Sequence, residues 1–306
     1  MQPFMVHSMV QLLVTLALPP LLLGVITKIK AAIAGRVGPP LLQPYYDLVK
    51  LAQKGSVFST TTTWVFRASP VVGIATALLA SLLIPLGGHD APIAFTGDLI
   101  LFVYLFGLAR FFTISAALDT GSAFEGMGGA REATFSCLAE PALLLGLLVL
   151  VKRTASLSLT PMLGPGMPGE WQNASPALVL VVVSLFVVLL AENCRVPFDD
   201  PNTHLELTMI HEVMVLDHGG PALGMILYGA ALKLFVLGAI VVGIAIPFRT
   251  GSFGFDLALF VAGMLVLSVV IGVVESVMAR LRLRQVPSLL VAACLLSGFA
   301  ILLAAR

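Results

Sequence analysis

The chain has 306 residues, of which 58% are hydrophobic and only 11% are charged, with a formal net charge of +1. A soluble domain carries about 25% charged residues, so this composition excludes an ordinary soluble globular protein. The near-neutral net charge gives no indication of nucleic-acid binding. A mean hydropathy of +1.04 and long apolar runs instead indicate a polytopic integral membrane protein.

Eight apolar runs are long enough for a helix to cross a hydrocarbon core of roughly 30 Å. They predict a single all-α membrane domain, 1–306, because a lipid-exposed backbone must satisfy its own hydrogen bonds. We place the spans at about 7–27, 69–87, 97–118, 133–151, 176–194, 221–247, 255–279 and 288–305.

The distribution of Lys and Arg predicts the orientation. The first cations follow the first apolar run, which indicates an uncleaved helix with its N-terminus outside. The cytoplasmic loops, at about 28–68, 119–132, 195–220 and 280–287, then hold eleven cations: Lys28, Lys30, Arg36, Lys50, Lys54, Arg67, Arg131, Arg195, Arg280, Arg282 and Arg284. The outer side holds four: Lys152, Arg153, Arg249 and Arg306. This bias places both termini on the outer, periplasmic side.

The three cysteines, Cys137, Cys194 and Cys294, are far apart and form no CxxC or Cys/His motif. The sequence therefore predicts neither an iron–sulfur nor a zinc site, and no cofactor or metal within this chain.

Among the ionisable residues of the predicted spans we single out five: Arg110, Glu140, Glu192, Lys233 and Glu275. A charge at the bilayer centre costs about 2.5–3.5 kcal/mol, so we expect a shared, hydrated polar interior on the cytoplasmic side. Static ion pairs are the alternative for Arg110 with one acid. Three acids against two bases leave an excess carboxyl as a proton carrier, and Glu192 and Glu275 have the further option of snorkelling to the interface.

The first cytoplasmic loop combines a turn with a short helix. Pro39 and Pro40 with the preceding glycine predict a fixed turn around Arg36. After Pro44 the apolar residues share one face, which predicts an interfacial amphipathic helix carrying Asp47 on its polar side. Arg36 in a rigid turn indicates a docking or ligand contact in addition to membrane anchoring.

The other two long loops are rich in glycine or in acids. Four glycines between Asp119 and Glu132 suggest a hinge before the fourth span. In the third loop, histidines recur every seven residues (His204, His211 and His218), as on one side of a helix. We favour a polar helix face against a partner subunit over metal ligation. Five acids crowd this loop, and they suit either proton entry or a solvated acidic face: Asp199, Asp200, Glu206, Glu212 and Asp217.

Together these loops resemble one membrane subunit that respiratory complex I shares with group 4 membrane-bound NiFe hydrogenases. The matching pieces are Arg36-Val37-Gly38-Pro39, Leu42-Gln43-Pro44, Asp47 with Lys50-Leu51, Gly129-Ala130-Arg131-Glu132 with Glu140, and Glu192 with Pro197-Phe198-Asp199 and Glu206. The hydrogenase branch fits better, because Pro39-Pro40 runs directly into Leu41 without a second Gly-Pro.

The resemblance implies a coupling subunit that anchors a peripheral arm and links its redox chemistry to proton or sodium translocation. Its partners would be an iron–sulfur subunit with 4Fe-4S clusters, a hydrogenase-like large subunit with or without NiFe, antiporter-like membrane subunits, and lipid. Residues at the arm junction or in a quinone-like pocket would be Arg36, Asp47, Arg131, Arg195 and Asp199. The ion path would use Arg110, Glu140, Glu192, Glu206, Lys233 and Glu275.

Two other functions stay open at this stage. One is a true complex I subunit with a quinone chamber, and the other is a stand-alone secondary transporter, although we find no repeated halves with broken helices. Whether it is a hydrogenase-type coupling subunit or a complex I subunit, the chain would belong in a bacterial or archaeal cytoplasmic membrane.

Overall fold

A computed structural model describes residues 2–199 and 209–305 of the chain, and these residues form helices and loops only. Two short 3-10 helices lie at Glu212–Val215 and Leu283–Gln285. The α-helices are α1 (Gln2–Ile33), α2 (Gln43–Ala52), α3 (Trp64–Leu82), α4 (Asp98–Asp119), α5 (Ala123–Thr154), α6 (Leu159–Leu163), α7 (Met167–Glu192), α8 (Gly220–Ala245), α9 (Phe253–Val277) and α10 (Val286–Leu303).

Eight helices among the described residues are long and apolar enough to cross a membrane, namely α1, α3, α4, α5, α7, α8, α9 and α10. The prediction of an all-α chain with eight spans is therefore confirmed. The helix ends differ from prediction at several places. For example, α3 begins at Trp64, five residues before position 69, because Thr63 caps it: its side chain accepts a hydrogen bond from Val65 N at 3.3 Å.

The predicted loop at 119–132 is wrong over most of its length, since α5 already begins at Ala123. Glycines disfavour an isolated helix, but here the absence of a side chain at Gly128 allows the 210–214 segment to pack closely against α5. A Cβ on Gly128 would lie 2.3 Å from Val213 and 3.1 Å from the Ile210 carbonyl oxygen. Close packing of this segment thus offsets the poor helix propensity of the glycines.

Helix α7 also starts earlier than predicted, at Met167 instead of position 176. Pro176 suggests a helix start because proline favours the first turn. In the structure Pro176 lies inside the helix, and the backbone bends just before it, where Ala174 has φ −140° and ψ 31°. The indole of Trp171 donates to the Ile244 carbonyl at 2.7 Å and ties this first segment to α8.

Helix α8 is central in the bundle: it packs against α1, α3, α7 and α9. Helix α10 covers α5 and α7, while α4 lies between α3 and α5. Small polar residues join α5, α7 and α10, because the Ser184 hydroxyl lies 2.7 Å from that of Ser297 and 2.8 Å from the Ala293 carbonyl. Such contacts are typical of helix packing in membranes, where hydrocarbon gives no hydrophobic drive for association.

The turn predicted in the first loop is present. Gly35 and Gly38 have φ values of 68° and 66°, a left-handed conformation that glycine adopts readily. The ammonium group of Lys28 donates to the Val37 carbonyl at 2.8 Å and folds the turn back onto α1. Helix α2 follows it and packs against α1 and α8.

Candidate functional site

Arg110 lies at the centre of a buried charge cluster within the bundle. Its guanidinium group pairs with three carboxylates: Glu132 at 3.4 Å from Nε, Glu140 at Nη1, and Glu192 at 2.7 Å from Nη2. Helix α4 supplies the arginine, α5 supplies Glu132 and Glu140, and α7 ends at Glu192. The cluster therefore links three consecutive long helices.

Glu192 is the most enclosed acid of this cluster, with a side chain only 6% exposed. Both of its oxygens accept from Arg110 at 2.7 Å, and its Oε2 also lies 2.7 Å from Nζ of Lys233 on α8. The option of snorkelling is wrong for Glu192, because two cations hold its carboxylate inside the bundle. The structure brings together Arg110, Glu140, Glu192 and Lys233, as the sequence predicts.

Sequence reasoning missed Glu132, because it assigned this residue to a loop. With α5 starting at Ala123, Glu132 lies within the helix and faces Arg110. Three carboxylates and two cations now give the cluster one formal excess negative charge. The expected excess acid is thus present, but Glu132 provides the third carboxyl in place of Glu275.

Glu275 belongs to a second group of ion pairs at the end of α9. Its side chain is fully buried and lies 2.8 Å from Nζ of Lys30 and 3.3 Å from Nη1 of Arg195. Snorkelling is therefore wrong for Glu275 as well. Lys30 was counted only as a loop cation, yet α1 continues to Ile33 and brings it to this carboxylate.

Residues predicted at the arm junction differ in their exposure. Arg36 and Asp47 are exposed, and Asp47 Oδ1 accepts from the Gln43 amide at 2.8 Å. Asp199 is buried, and its carboxylate accepts from Arg280 at 2.7 Å and from the Ile210 amide at 2.8 Å. This placement indicates that Asp199 fixes its own loop within the chain.

Arg131 is also engaged within the chain. Its guanidinium group donates to the Met209 carbonyl at 2.8 Å and contacts the Met127 sulfur at 2.9 Å. It therefore anchors the segment just after residues 200–208 onto α5. Three residues named in the sequence analysis of the third loop lie outside the described residues: Asp200, His204 and Glu206.

Two adjoining cavities open beside these charges. The smaller, of about 110 Å³, is lined by Arg110, Glu132, Glu192 and Lys233. The larger, of about 570 Å³, is lined by residues of the first loop and of the second group of ion pairs: Lys30, Asp47, Arg195, Asp199 and Glu275. Both cavities share a wall that includes Cys194, His211 and His218, so this wall separates the two charge groups.

The prediction of a single helical face for the histidines is wrong for His211 and His218. A 3-10 helix at Glu212–Val215 and a turn separate them, so they do not lie on one face of a helix, although both line the cavities. The His218 ring stacks on Phe66 with 3.9 Å between centroids, and burial lowers its pKa to about 4. Burial also lowers the pKa of His211.

The sequence prediction also missed two buried aspartates in the first turns of helices. Asp98 of α4 accepts from the Ser158 hydroxyl at 2.6 Å and the Leu159 amide at 2.7 Å. Asp256 of α9 accepts from the Thr250 and Gly251 backbone amides at 2.8 and 3.1 Å. Both carboxylates therefore fix neighbouring loops onto the helix starts.

The geometry agrees with what comparison with known proteins finds. The NADH dehydrogenase family matches residues 6–305. Formate hydrogenlyase subunit 4 of Escherichia coli (strain K12) is 33% identical over 287 residues, which cover 92% of this chain and 92% of that protein. Hydrogenase-4 component C of the same strain is 33% identical over 243 residues, covering 79% and 76% of the two chains.

A solved structure has the same fold. A chain of the membrane-bound sulfane sulfur reductase (MBS), described as an archaeal respiratory membrane complex, superposes with a TM-score of 0.82 over 99% of both chains at 20% identity. At this identity the likeness concerns the fold alone. The family resemblance carried by the three long loops is confirmed, and the chain belongs to the NADH dehydrogenase family of membrane subunits.

Proposed function

We propose that this chain is the membrane anchor and coupling subunit of a multisubunit, energy-converting hydrogenase or formate hydrogenlyase-like complex. It docks a peripheral redox arm and links electron transfer there to translocation of protons or sodium ions. Family membership and the near full-length match to a formate hydrogenlyase subunit support this assignment. The chain itself contributes no redox cofactor.

The observation that supports the coupling role is a series of charged side chains that runs from the smaller cavity to the side of the bundle. Glu192 is enclosed and lines the smaller cavity, whereas the Glu140 side chain is 41% exposed on α5. Arg110 contacts both carboxylates. A proton taken up near the cavity therefore finds carboxylate acceptors as far as the lateral surface of the bundle. An antiporter-like neighbouring subunit at that surface would respond to the change in charge.

The excess carboxyl allows this series of charged side chains to hold a proton. The three glutamates of the cluster exceed its two cations by one formal negative charge, and this excess attracts a proton or a small cation. Because all three of these acids pair with Arg110, a change in charge on one alters the field at the others over a few ångströms. The cluster thus combines storage of a proton with communication between helices.

The partners and their cofactors follow from the same assignment. An iron–sulfur subunit with 4Fe-4S clusters and a large subunit, with or without NiFe, form the arm. The arm meets the exposed Arg36 turn and α2, which lies as an amphipathic helix at the membrane surface. The excess of loop cations supports a cytoplasmic location for this face, with both termini outside, in a bacterial or archaeal cytoplasmic membrane.

The test combines purification with transport. A C-terminally tagged chain should copurify with iron–sulfur and large subunits, and Glu140→Gln should retain them while lowering the ions moved per electron pair in proteoliposomes. Glu170→Gln is the matched control, since Glu170 pairs with Arg153 at 2.5 Å at the outer end of α7. A tagged chain that purifies alone and transports solute would show a stand-alone transporter instead.

A quinone chamber is the second candidate function, and the larger cavity favours it. Its volume of about 570 Å³ is within the range of small-molecule sites, and Asp47 and Arg195 supply polar groups beside apolar residues of α1 such as Leu23 and Ile26. A photoreactive quinone that labels this wall, with quinone-dependent turnover, would support it. Labelling that excess quinone does not displace would exclude it.

A further inference from the structure

Three side chains with different metal-binding atoms meet on the wall of the smaller cavity. They are the carboxylate of Glu132 on α5, the thiol of Cys194 just after α7, and the imidazole of His211 just before the 3-10 helix. One ligand atom from each lies within 4.8 Å of the other two. The three residues are distant in the sequence, so only folding reveals the group.

We propose that Glu132, Cys194 and His211 form a binding site for a divalent transition-metal ion of the zinc type. Thiolate, imidazole and carboxylate are the three protein ligands that zinc accepts. Calcium and magnesium require oxygen ligands and would not select this set. All three residues line the cavity, which leaves a fourth coordination position for water.

The distances suit such an ion after a small adjustment. Zinc bonds of about 2.0–2.3 Å in a tetrahedron put the ligand atoms about 3.3–3.8 Å apart. A pair of ligand atoms at the 4.8 Å limit therefore closes by about 1–1.5 Å. Glu132 has freedom to do so, because its contact with Arg110 Nε is long at 3.4 Å and Arg110 keeps Glu140 and Glu192 as partners.

The backbone at Cys194 supports a positioned ligand. Cys194 has a φ of 49°, and Ala155 is the other non-glycine residue with positive φ in the part of the chain that the structure describes. This left-handed conformation after a helix usually belongs to glycine or asparagine. Hydrogen bonds from Cys194 N to Ala191 O and from Arg195 N to Leu190 O, at 3.1 and 2.9 Å, hold it. A cysteine kept in this conformation is consistent with use of its thiol.

The charges also balance. A Cys194 thiolate and the Glu132 carboxylate together neutralise a dication, while His211 binds as a neutral ligand. The bound ion would join α5 to Cys194, just before the third loop, and to His211 within that loop. A further effect rests on the proposed function. If the Arg110 cluster carries protons, the bound ion would draw Glu132 away from Arg110 and slow ion coupling.

The test measures metal binding apart from transport. The tagged native complex is treated with EDTA, equilibrated with zinc in a buffered free concentration, and its zinc is counted by mass spectrometry. Wild type should bind one more zinc ion than Cys194→Ser or His211→Gln. Cys137→Ser and Cys294→Ser are the controls, because Cys137 is exposed and Cys294 lies on α10 away from the cluster, and both should keep this ion.

Equal zinc content in wild type and in both ligand variants would overturn the proposal. If the variants fail to assemble, zinc K-edge absorption of the wild-type complex decides. One sulfur neighbour at about 2.3 Å with nitrogen and oxygen neighbours at about 2.0–2.2 Å supports the site, and a shell without sulfur excludes it. Normal zinc binding with unchanged coupling would retain the site and reject only its effect on ion movement.

Discussion

The Glu192 carboxylate presents both of its oxygens, at 2.7 Å, to a single guanidinium nitrogen of Arg110. One of these oxygens also accepts from Lys233. This single side chain therefore compensates two intramembrane cations and joins α4, α7 and α8. Removing the Glu192 carboxylate should therefore lower the stability of the fold. Glu140 pairs with the same arginine but is more exposed, so its removal should lower the stability less.

We therefore expect Glu192→Gln to destabilise the chain strongly. The amide keeps the shape of the side chain but leaves Arg110 and Lys233 with one carboxylate fewer, and breaking a buried ion pair costs about 3–5 kcal/mol. Thermal denaturation followed by size-exclusion chromatography in detergent should show a lower midpoint than for wild type. Glu170→Gln should change it little, because a partly exposed pair contributes about 0–1 kcal/mol. Equal midpoints for the two variants would contradict the central role of Glu192.

The turn at Arg36 yields a prediction about assembly. Arg36 is exposed, and its turn is held by left-handed glycines and by the Lys28 contact, so removing the side chain leaves the fold intact. Arg36→Ala should therefore weaken attachment of the peripheral arm, seen on native gels as loss of arm subunits from a stable membrane part. Arg284→Ala, an exposed arginine in the last predicted cytoplasmic loop, is the control. An intact complex in Arg36→Ala would count against docking at this turn.

Hydropathy was sufficient to predict the eight spans, because hydrocarbon imposes a minimum length on every crossing helix. It was insufficient at Ala123–Glu132, where glycines suggest a hinge. The helix there depends on the 210–214 segment packing against Gly128, a contact between distant parts of the chain. Because residues 123–132 were predicted to be a loop, Glu132 was not included among the intramembrane acids.

The members of the Arg110 cluster could be predicted because charges are costly in lipid and must find one another. Their pairing could not. Glu275 has the same residue type and a similar depth to Glu192, yet α9 packs against α1 and presents Glu275 to Lys30. Which acid meets which base depends on helix order around the bundle, and apolar runs do not encode that order.

Gly128 gives a direct test of the close packing that determines α5. A methyl group there would lie 2.3 Å from Val213 Cγ1 and 3.1 Å from the Ile210 backbone oxygen, so the third loop would have to move. Gly128→Ala should cost about 1–3 kcal/mol by overpacking. Gly126→Ala, whose nearest neighbour is Leu118 Cδ2 at 3.8 Å, should be neutral or gain up to about 1 kcal/mol from helix propensity. Similar thermal midpoints for both variants would exclude this contact as a determinant of the helix.

His218 predicts how stability responds to acid. Its folded-state pKa is about 4, lowered by burial against Phe66, and the neighbouring Asp217 only partly opposes this shift. An unfolded histidine has a pKa of about 6.5, so the unfolded state binds the extra proton first as pH falls. The stabilising contribution is complete above pH 6.5 and declines down to pH 4, by up to about 3 kcal/mol.

The measurement compares thermal midpoints of wild type and His218→Phe at pH 7.5 and pH 5. Phenylalanine keeps the stacked ring but cannot take up a proton, so the variant should lose less stability on acidification than wild type. An identical fall in wild type and His218→Phe would mean that His218 does not control the acid sensitivity.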